Sequence, residues 1–361
     1  MILDKSTASV VLSKQVICSP GAGILDFMSH YFGLVTMQES DKNTDLSSGA
    51  STPPDMPRIV VVGGINMDLV VRTQAMPAPG QTVTGHSFST IPGGRGANQA
   101  VAAARCDAEV NLIGRIGSDD FGNRLVLGLR ACGVNTSPIL VSEAVSTGAS
   151  IIIVDENGDN AVCNTPGANA LLSTEDIDDL AEIISQADVV LIQLEIPQET
   201  AVYALQVAQR HNIPVILNPA PAPEDISPVF FEADIIVANQ DETSRLSGEP
   251  AHDVHAAKMA GSALLARGAR VVIVTLGRRG ALALTPEQMH HTPPFSTKVV
   301  DITGVGDTFC GAFAAAYARD KDIYHATRFA AAAGALACGK FGAQPSMPRL
   351  CAIQKLLQRS C

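Results

Sequence analysis

The chain has 361 residues, 46% of them hydrophobic, and a formal net charge of -11. This length permits one large or two ordinary domains with a sizeable core. The acidic balance and the lack of a basic stripe argue against nucleic acid as a partner, and no uninterrupted apolar run reaches the length of a membrane span. The eight cysteines are scattered without a CxxC pair, which is typical of reduced thiols in a cytoplasmic protein.

The first 57 residues differ in composition from the rest of the chain. The stretch QESDKNTDLSSGASTPPDMP at 38–57 is rich in Ser, Thr, Pro and Asp, which predicts a disordered linker. A translation start at Met37 or Met56 is one interpretation, and a weak organelle-targeting role is the other, which the acidic residues and few arginines disfavour. We therefore predict a disordered extension at 1–57 and a globular domain at 58–361.

From residue 58 onwards, strand-like and helix-like segments alternate. Short runs rich in Val and Ile indicate strands covered on both faces. The alternation predicts a doubly wound, three-layer α/β sandwich with a mostly parallel central sheet. The predicted strands lie at 58–65, 109–114, 149–154, 187–194, 213–218, 233–239 and 270–277, and the predicted helices at 97–106, 119–132, 174–186, 198–211, 253–267, 305–319 and 323–339.

Residues 65–94 interrupt this alternation with short alternating runs and turn residues. They predict a small antiparallel β lid, to which residues 147–165 add a further pair of strands.

The sequence DITGVGDTFCGAF at 301–313 combines two glycines, a carboxylate and an apolar helical face. Gly304 and Gly306 leave the first N–H groups of the predicted helix bare, and such a helix end binds anions, usually phosphate. Asp307 lies in the first turn, where the helix dipole favours its ionised form. It is either a general base for an attacking hydroxyl or an ordinary helix cap.

Three further glycine-rich turns follow strands or precede helices. GGINMD at 63–68 brings Asn66 and Asp68 just past the first strand, at the sheet edge where open α/β folds bind ligands. Their side chains suit vicinal hydroxyls because each takes part in paired hydrogen bonds. IPGGRGANQAVAAAR at 91–105 and TLGRRG at 275–280 are the other two, and each of the three also fits an ordinary turn.

Taken in order, these motifs resemble the ribokinase branch of the PfkB-type carbohydrate kinase family. The resemblance spans about residues 58–350 and includes GRIGSDDFG, QLE, LNPAPA and GAQPS as well as the motifs above. It implies an α/β sandwich with a small β lid and transfer of a phosphoryl group from ATP to the 5-hydroxyl of D-ribose. It also implies Asp307 as the general base and the backbone of Gly304, Val305 and Gly306 as the anion hole. Some relatives form homodimers through the lid, so the resemblance makes a homodimer an expectation here.

The resemblance also assigns ligand-binding positions. The sugar-binding positions are Asn66, Met67, Asp68, Gly94, Arg95, Gly96, Ala97, Asn98, Glu195 and Asp307. The nucleotide-binding positions are Asn239, Thr275, Leu276, Gly277, Arg278, Arg279, Gly280, Gly306 and Asp307. Glu242 matches a position linked indirectly to Mg²⁺, and Asp301, Thr303, Ala337, Lys340, Gly342 and Ser346 match a site for a monovalent cation, usually K⁺.

Two positions depart from the family pattern. Arg95 stands where Lys is common, and Ala331 stands near the expected adenine pocket where His or Asn is common.

Several other functions compete with this interpretation. A kinase for deoxyribose, fructose or a nucleoside is the nearest alternative, and a non-catalytic sugar-binding regulator is a more remote one. A nicotinamide-dependent oxidoreductase is rejected because VVGGIN lacks the GxGxxG spacing.

Overall fold

The computed structural model describes residues 56–360. The predicted extension at 1–57 therefore lies outside the described residues except for its last two positions. Within 56–360, no helix combines the length and the apolar character needed to cross a membrane.

Fourteen strands and eleven α-helices make up the described part of the chain. The strands are β1 (Arg58–Val62), β2 (Asn66–Thr73), β3 (Gly85–Gly93), β4 (Glu109–Gly117), β5 (Val134–Asn135), β6 (Ile139–Ser142), β7 (Gly148–Val154), β8 (Asn160–Thr165), β9 (Val189–Gln193), β10 (Val215–Asn218), β11 (Ile235–Asn239), β12 (Val271–Thr275), β13 (Ala281–Leu284) and β14 (Met289–Thr292). The helices are α1 (Arg95–Ala104), α2 (Asp120–Ala131), α3 (Thr174–Asp179), α4 (Ala181–Ser185), α5 (Gln198–Arg210), α6 (Gln240–Ser247), α7 (Val254–Ala266), α8 (Val305–Asp320), α9 (Ile323–Cys338), α10 (Ala343–Ser346) and α11 (Leu350–Arg359).

The central sheet is mostly parallel, with strand order β14-β13-β12-β11-β10-β9-β1-β4-β5 and β6 paired to β4. Only β13 and β14, at one edge, pair in antiparallel fashion. The chain runs from β1 to β4 in one direction and from β9 to β12 in the other, so the order reverses between β1 and β9. Doubly wound folds bind ligands in the crevice outside the carboxyl ends of the strands at such a switch point.

Helices cover both faces of this sheet. Ile59 and Val61 of β1 face a core built with α1, α2, α8, α9 and α11, whereas Val60 and Val62 face a core built with α3 to α7. The alternation explains why the strands read as continuous apolar runs, since both sides of each strand are buried. The predicted three-layer α/β sandwich is confirmed.

Four strands form the small sheet, in the order β3-β2-β7-β8. The pairs β2–β3 and β7–β8 are antiparallel, as predicted, but β2 and β7 are parallel, with Asn66 opposite Gly148. The run 149–154, which resembles the buried central strands in composition, belongs to this small sheet. Its apolar residues therefore do not extend the central sheet.

Every other predicted strand and helix is present, with three differences. The predicted helix at 174–186 is interrupted at Leu180, where ψ is 8°, and forms α3 and α4. Helix α6 was not expected because QDETSRLS has almost no apolar face; a reciprocal cap between Asn239 and Glu242 defines its start instead. Strands β5, β6, β13 and β14 and helices α10 and α11 are also additional.

Candidate active site

Helix α8 begins at the crevice and leaves its first turn open. Gly304 adopts φ 70°, a left-handed conformation that suits glycine, and its carbonyl accepts from the N–H of Thr308 at 2.8 Å. The N–H of Val305 is bonded to the carbonyl of Ile302 at 3.3 Å. Within residues 56–360, the N–H groups of Gly306 and Asp307 have no acceptor, and a Cβ at Gly306 would meet no atom within 4 Å. The helix start therefore offers two free donors to an anion.

The carboxylate of Asp307 points away from these N–H groups and towards helix α1. Its Oδ2 accepts from Nδ2 of Asn98 at 2.9 Å, and its Oδ1 accepts from Nε2 of Gln99 at 3.1 Å. The guanidinium of Arg95 lies 3.9 Å from the same Oδ1. Asp307 makes no capping hydrogen bond to helix α8, so the interpretation of this residue as an ordinary helix cap is wrong.

The sequence predicted that the helix dipole would favour ionised Asp307, but burial dominates its titration. Burial raises the pKa of Asp307, and Arg95, Asn98 and Gln99 oppose that rise. The residue is only 6% exposed, so the ionised form has little contact with water. A carboxylate with a raised pKa is a stronger proton acceptor than an ordinary surface aspartate.

The turns GGIN and GGRG pack against each other beside Asp307. Gly94 has φ 87°, and a Cβ there would lie 2.6 Å from the nitrogen of Asn66, so only glycine allows this approach. The N–H of Arg95 donates to Oε2 of Glu195 at 2.7 Å. Nδ2 of Asn169 donates to Oδ1 of Asn66 at 2.7 Å. The contacts draw the loops after β1 and β9 and the start of α1 together at the switch point.

Three carboxylates and one guanidinium share this crevice. The pKa of Asp68 is raised to about 6, because burial and the charge of Asp307 outweigh a hydrogen bond from Ser150 that lowers it. Burial likewise raises the pKa of Glu195 to about 7, against the backbone and charge of Arg95. Such shifted values in a cleft are typical of functional sites.

Two strand ends next to the crevice carry the residues expected to hold a nucleotide. Asn239 at the end of β11 is opposite Thr275 at the end of β12, and a 3₁₀ turn, Gly277–Arg279, follows. The Asn239 side chain accepts from the N–H of Glu242 at 2.8 Å, and the Glu242 carboxylate accepts from the N–H of Asn239 at 2.9 Å. The NxxE pair is therefore a helix cap in this structure. The guanidinium of Arg279 is bound to the carbonyl of His252.

Burial raises the pKa of Glu242, which interacts electrostatically with Arg95 and Asp307. Glu242 thus faces the same group of charges as the crevice residues. Ala331, the departure near the expected adenine pocket, packs partly buried against the core that contains α8 and α9.

The residues assigned to a monovalent cation lie on the loop before α8 and on the segment from the end of α9 to α10, and the two touch each other. Oδ1 of Asp301 accepts from the N–H and hydroxyl of Thr303 at 3.0 and 2.7 Å, and Oδ2 accepts from the N–H of Gly342 at 2.8 Å. The Ser346 hydroxyl donates to the carbonyl of Ala343 at 2.7 Å, and the N–H of Lys340 to that of Ala337 at 3.1 Å.

Burial raises the pKa of Asp301, but the hydrogen bonds from Gly342 and Thr303 outweigh it and leave that pKa lowered. A permanent carboxylate, two hydroxyls and several carbonyls fit a hard cation, which prefers oxygen ligands. Among residues 56–360 there is no group of three or more His, Cys, Asp or Glu side chains that could hold a metal ion.

Buried amides are the residues that motif reading missed. Each lies inside or beside a motif that the sequence displays: Gln99 in GANQA, Gln193 in QLE, Asn218 in LNPAPA and Gln344 in GAQPS. All four are at most 5% exposed. A buried amide must find partners, so a Gln or Asn inside an apolar strand or helix was the available signal.

The comparisons with known proteins agree with this geometry. The model of the pfkB family of carbohydrate kinases matches residues 56–350. The chain belongs to the pfkB family of carbohydrate kinases. Accordingly, it is an ATP-dependent kinase that acts on a sugar hydroxyl, and the resemblance that the motifs predicted is confirmed.

Individual members of the pfkB family resemble the chain along nearly their whole length. A ribokinase of Bacillus subtilis is 38% identical over 302 residues, covering 84% of this chain and 100% of the relative. A deoxyribokinase of Salmonella typhi is 35% identical over 293 residues, covering 81% and 96%. The solved structure of Arabidopsis thaliana ribokinase complexed with ribose and ATP has a TM-score of 0.80 at 32% identity, covering 84% of this chain and 99% of that one. Relatives with two different named acceptors are thus about equally similar.

Proposed function

We propose that this kinase transfers the γ-phosphoryl group of ATP to O5 of D-ribose, with Asp307 as the general base. The observation that carries the proposal is the pairing of a buried carboxylate with an open helix start. Asp307 is held by Asn98 and Gln99, while the N–H groups of Gly306 and Asp307 have no protein acceptor in the described part of the chain. The carboxylate would take the hydroxyl proton, and the N–H groups would stabilise negative charge on the transferred group.

The polar groups of the crevice support a small hydroxylated acceptor. Asn66, Asp68 and Glu195 offer hydrogen-bonding oxygens and an amide near Asp307, which suits paired contacts to sugar hydroxyls. The named ligands of the Arabidopsis structure, ribose and ATP, point the same way. The substrate-binding assignments from Met67 to Asn98 belong to this proposal.

ATP would lie along the ends of β11 and β12, over the turn from Thr275 to Gly280. The phosphates of ATP would hold Mg²⁺, as is usual in phosphoryl-transfer sites, and Glu242 would act on the ion indirectly. K⁺ would bind beside the carboxylate of Asp301, which accepts from the N–H of Gly342 and the hydroxyl of Thr303. Both ions would supply positive charge when bound, and these residues of the chain would orient them.

The small sheet is proposed as a lid over the sugar, within a single kinase domain at 58–361. Phe88 and Ile151 are exposed on one of its faces, which supports a homodimer through the lid. Sedimentation of the Phe88→Asp variant as a monomer, with wild-type protein as a dimer, would support that arrangement; two monomers would contradict it. The cysteines of the described part are free thiols, which supports a cytoplasmic location as part of this proposal.

The second candidate acceptor is 2-deoxyribose, which the similarity to a deoxyribokinase favours. ADP release with ATP, Mg²⁺ and K⁺ should be compared across D-ribose, 2-deoxyribose, fructose and adenosine. A kcat/KM highest for ribose supports the proposal. Higher kcat/KM for deoxyribose assigns the acceptor to that sugar, and no turnover with any acceptor contradicts catalysis altogether.

The role of Asp307 has its own test. The Asp307→Asn variant should retain ribose binding in calorimetry while kcat falls by about 10²–10⁴-fold, the usual contribution of a general base. Near-normal kcat in this variant would contradict the mechanism and leave the acceptor assignment intact.

A further inference from the structure

We propose that Gln99 is a positioning residue for the reaction, which fixes the carboxylate of Asp307 to the carboxyl edge of the central sheet through a chain of buried amides. The inference rests on the proposed role of Asp307 as the general base.

The amide of Gln99 has all of its hydrogen-bonding groups engaged. Its Nε2 donates to Oδ1 of Asp307 at 3.1 Å and to Oδ1 of Asn218 at 2.9 Å. Its Oε1 accepts from Nε2 of Gln193 at 2.7 Å, and the side chain is 0% exposed. Rotation of this amide would break a hydrogen bond where no water can replace it, which is costly. The N–H group of Gln99 that donates to Asp307 is therefore held in one orientation.

Both anchors of Gln99 belong to the sheet edge. Asn218 is the last residue of β10, and its Nδ2 donates to the backbone carbonyl of Val237 in β11 at 2.9 Å. Gln193 is the last residue of β9 and lies opposite Asn218 in the strand register. Three neighbouring strands thus hold one side chain, and that side chain holds the carboxylate on helix α8.

Gln99 and its neighbour Asn98 fix the plane of the carboxylate together. Asn98 donates to Oδ2 and Gln99 to Oδ1, so rotation of the carboxylate would weaken both bonds. The family resemblance assigns Asn98 to the sugar, whereas Gln99 is fully buried and reaches the reaction only through Asp307. A base misplaced by about 1 Å can cost about 10²-fold in rate, which is why such support matters.

Helix packing brings Gln99 within reach. A Cβ at Gly311, one turn beyond Asp307, would lie 2.6 Å from Cβ of Ala102 and would also overlap the carbonyl of Gln99. Helices α1 and α8 therefore approach closely one turn from the Gln99–Asp307 contact, and the glycine allows that approach.

Five charged or titratable groups interact with Asp307. They are the guanidinium of Arg95, the carboxyl groups of Asp68, Glu195 and Glu242, and the thiol of Cys310. Gln99 is neutral, so replacing it with another neutral residue leaves all of these groups in place. A change in the titration of Asp307 would then report the lost hydrogen bond.

The test is the Gln99→Met variant, which keeps the length of the side chain and removes its donors. We expect kcat to fall by about tenfold or more while KM for ribose and ATP changes by less than about threefold. The acidic limb of the pH profile of kcat/KM should move up by about one pH unit, because a hydrogen bond that favours the carboxylate is lost.

Thr200→Val is the matched control. The Thr200 hydroxyl, 1% exposed, donates to the carbonyl of Leu172 at 2.7 Å on the other side of the sheet. This variant also loses one buried hydrogen bond, and we expect a lower Tm with an unchanged pH profile. An equal shift of the limb in both variants would assign the effect of Gln99→Met to general destabilisation and overturn the proposal.

The remaining outcomes are also decisive. Wild-type kcat and an unmoved limb in Gln99→Met, alongside an inactive Asp307→Asn, would overturn the positioning role alone. An active Asp307→Asn would overturn the proposed base. If Gln99→Met does not fold, Gln99→Glu keeps the shape and should raise the limb further through like charge; failure of both to fold would assign Gln99 a purely structural role.

Discussion

The guanidinium of Arg95 lies 3.9 Å from the carboxylate of Asp307, across the crevice between helices α1 and α8. Burial disfavours the charged guanidinium, but Asp307, Glu242 and Glu195 outweigh this and raise the pKa of Arg95. The same arginine opposes the rise in the pKa of Asp307. Arg95 is therefore electrostatically part of the site.

Replacing Arg95 should change the pH dependence of turnover. In Arg95→Met the opposing positive charge is lost, so the pKa of Asp307 rises and the ionised base disappears at a higher pH. The acidic limb of the kcat/KM profile should move upward, whereas Arg95→Lys, which keeps the charge, should leave it nearly unmoved. Coincident profiles for Met, Lys and wild type would contradict the role of this charge.

Gly306 offers a test of the open helix start that separates activity from stability. A Cβ at Gly306 would contact no protein atom, so Gly306→Ala should unfold at a Tm close to that of the wild type. The new methyl group would occupy the space proposed for the phosphoryl group, and kcat/KM for ATP should fall by about tenfold or more.

The matched control for Gly306 is Gly128→Ala. Gly128 lies inside helix α2, and a Cβ there also meets nothing within 4 Å. This variant should gain about 0.5–1 kcal/mol in the free energy of unfolding, with unchanged kcat/KM. Retained activity in Gly306→Ala would argue against phosphate at this helix start.

Glu195 should make the unliganded protein less stable as pH rises. Its pKa is raised from 4.5 to about 7, so its contribution to stability is fully present below about pH 4.5 and is lost as pH rises through about 7. In Glu195→Gln, urea unfolding should show a fall in the free energy of unfolding over this range that is smaller by about 3 kcal/mol.

The effect of Glu195→Gln should be partial. Asp68, with a pKa raised to about 6, contributes in the same direction and remains in the variant. An unchanged pH dependence of stability in Glu195→Gln would show that this carboxyl group titrates normally.

A monovalent cation between the loops of Asp301 and Gly342 should activate the enzyme. A Cβ at Gly304 would lie 2.7 Å from Cβ of Ala343, so the start of helix α8 rests on the loop that would hold the ion. Initial rates in K⁺ should exceed those in choline, and Asp301→Ala should lose the difference. Equal rates in K⁺, Na⁺ and choline salts would contradict the cation site.

The sequence predicted what depends on local pattern. The Val- and Ile-rich runs and helical periodicities gave the sandwich, and the glycines around Asp307 indicated the open helix start. The run 149–154 has the composition of the central strands, and only the turn-rich context of 147–165 indicated that it belongs to the lid, where its partner is Asn66–Thr73. The pairing of two segments so far apart in the chain cannot be predicted from the sequence of either one.

The support of Asp307 could not be predicted for a similar reason. Asn98 and Gln99 precede Asp307 by about 200 residues, and only the close packing of two helices brings them to its carboxylate. The ionisation of Asp307 was predicted wrongly from a local rule. The helix dipole favours the ionised carboxylate, but burial created by tertiary packing outweighs the dipole and raises the pKa.

Strand β2 begins at Asn66, four residues after β1 ends at Val62, so the first residues of the small sheet are also crevice residues. Any hinge movement of that sheet against the core must carry Asn66 and Asp68 with it. Sugar binding and closure of the small sheet would then be coupled in one equilibrium. A mutation that stiffens the hinge would alter the Kd of the acceptor even if the mutated residue does not contact the acceptor. Amide exchange in β2 should accordingly titrate with sugar concentration along the same curve as the heat of binding.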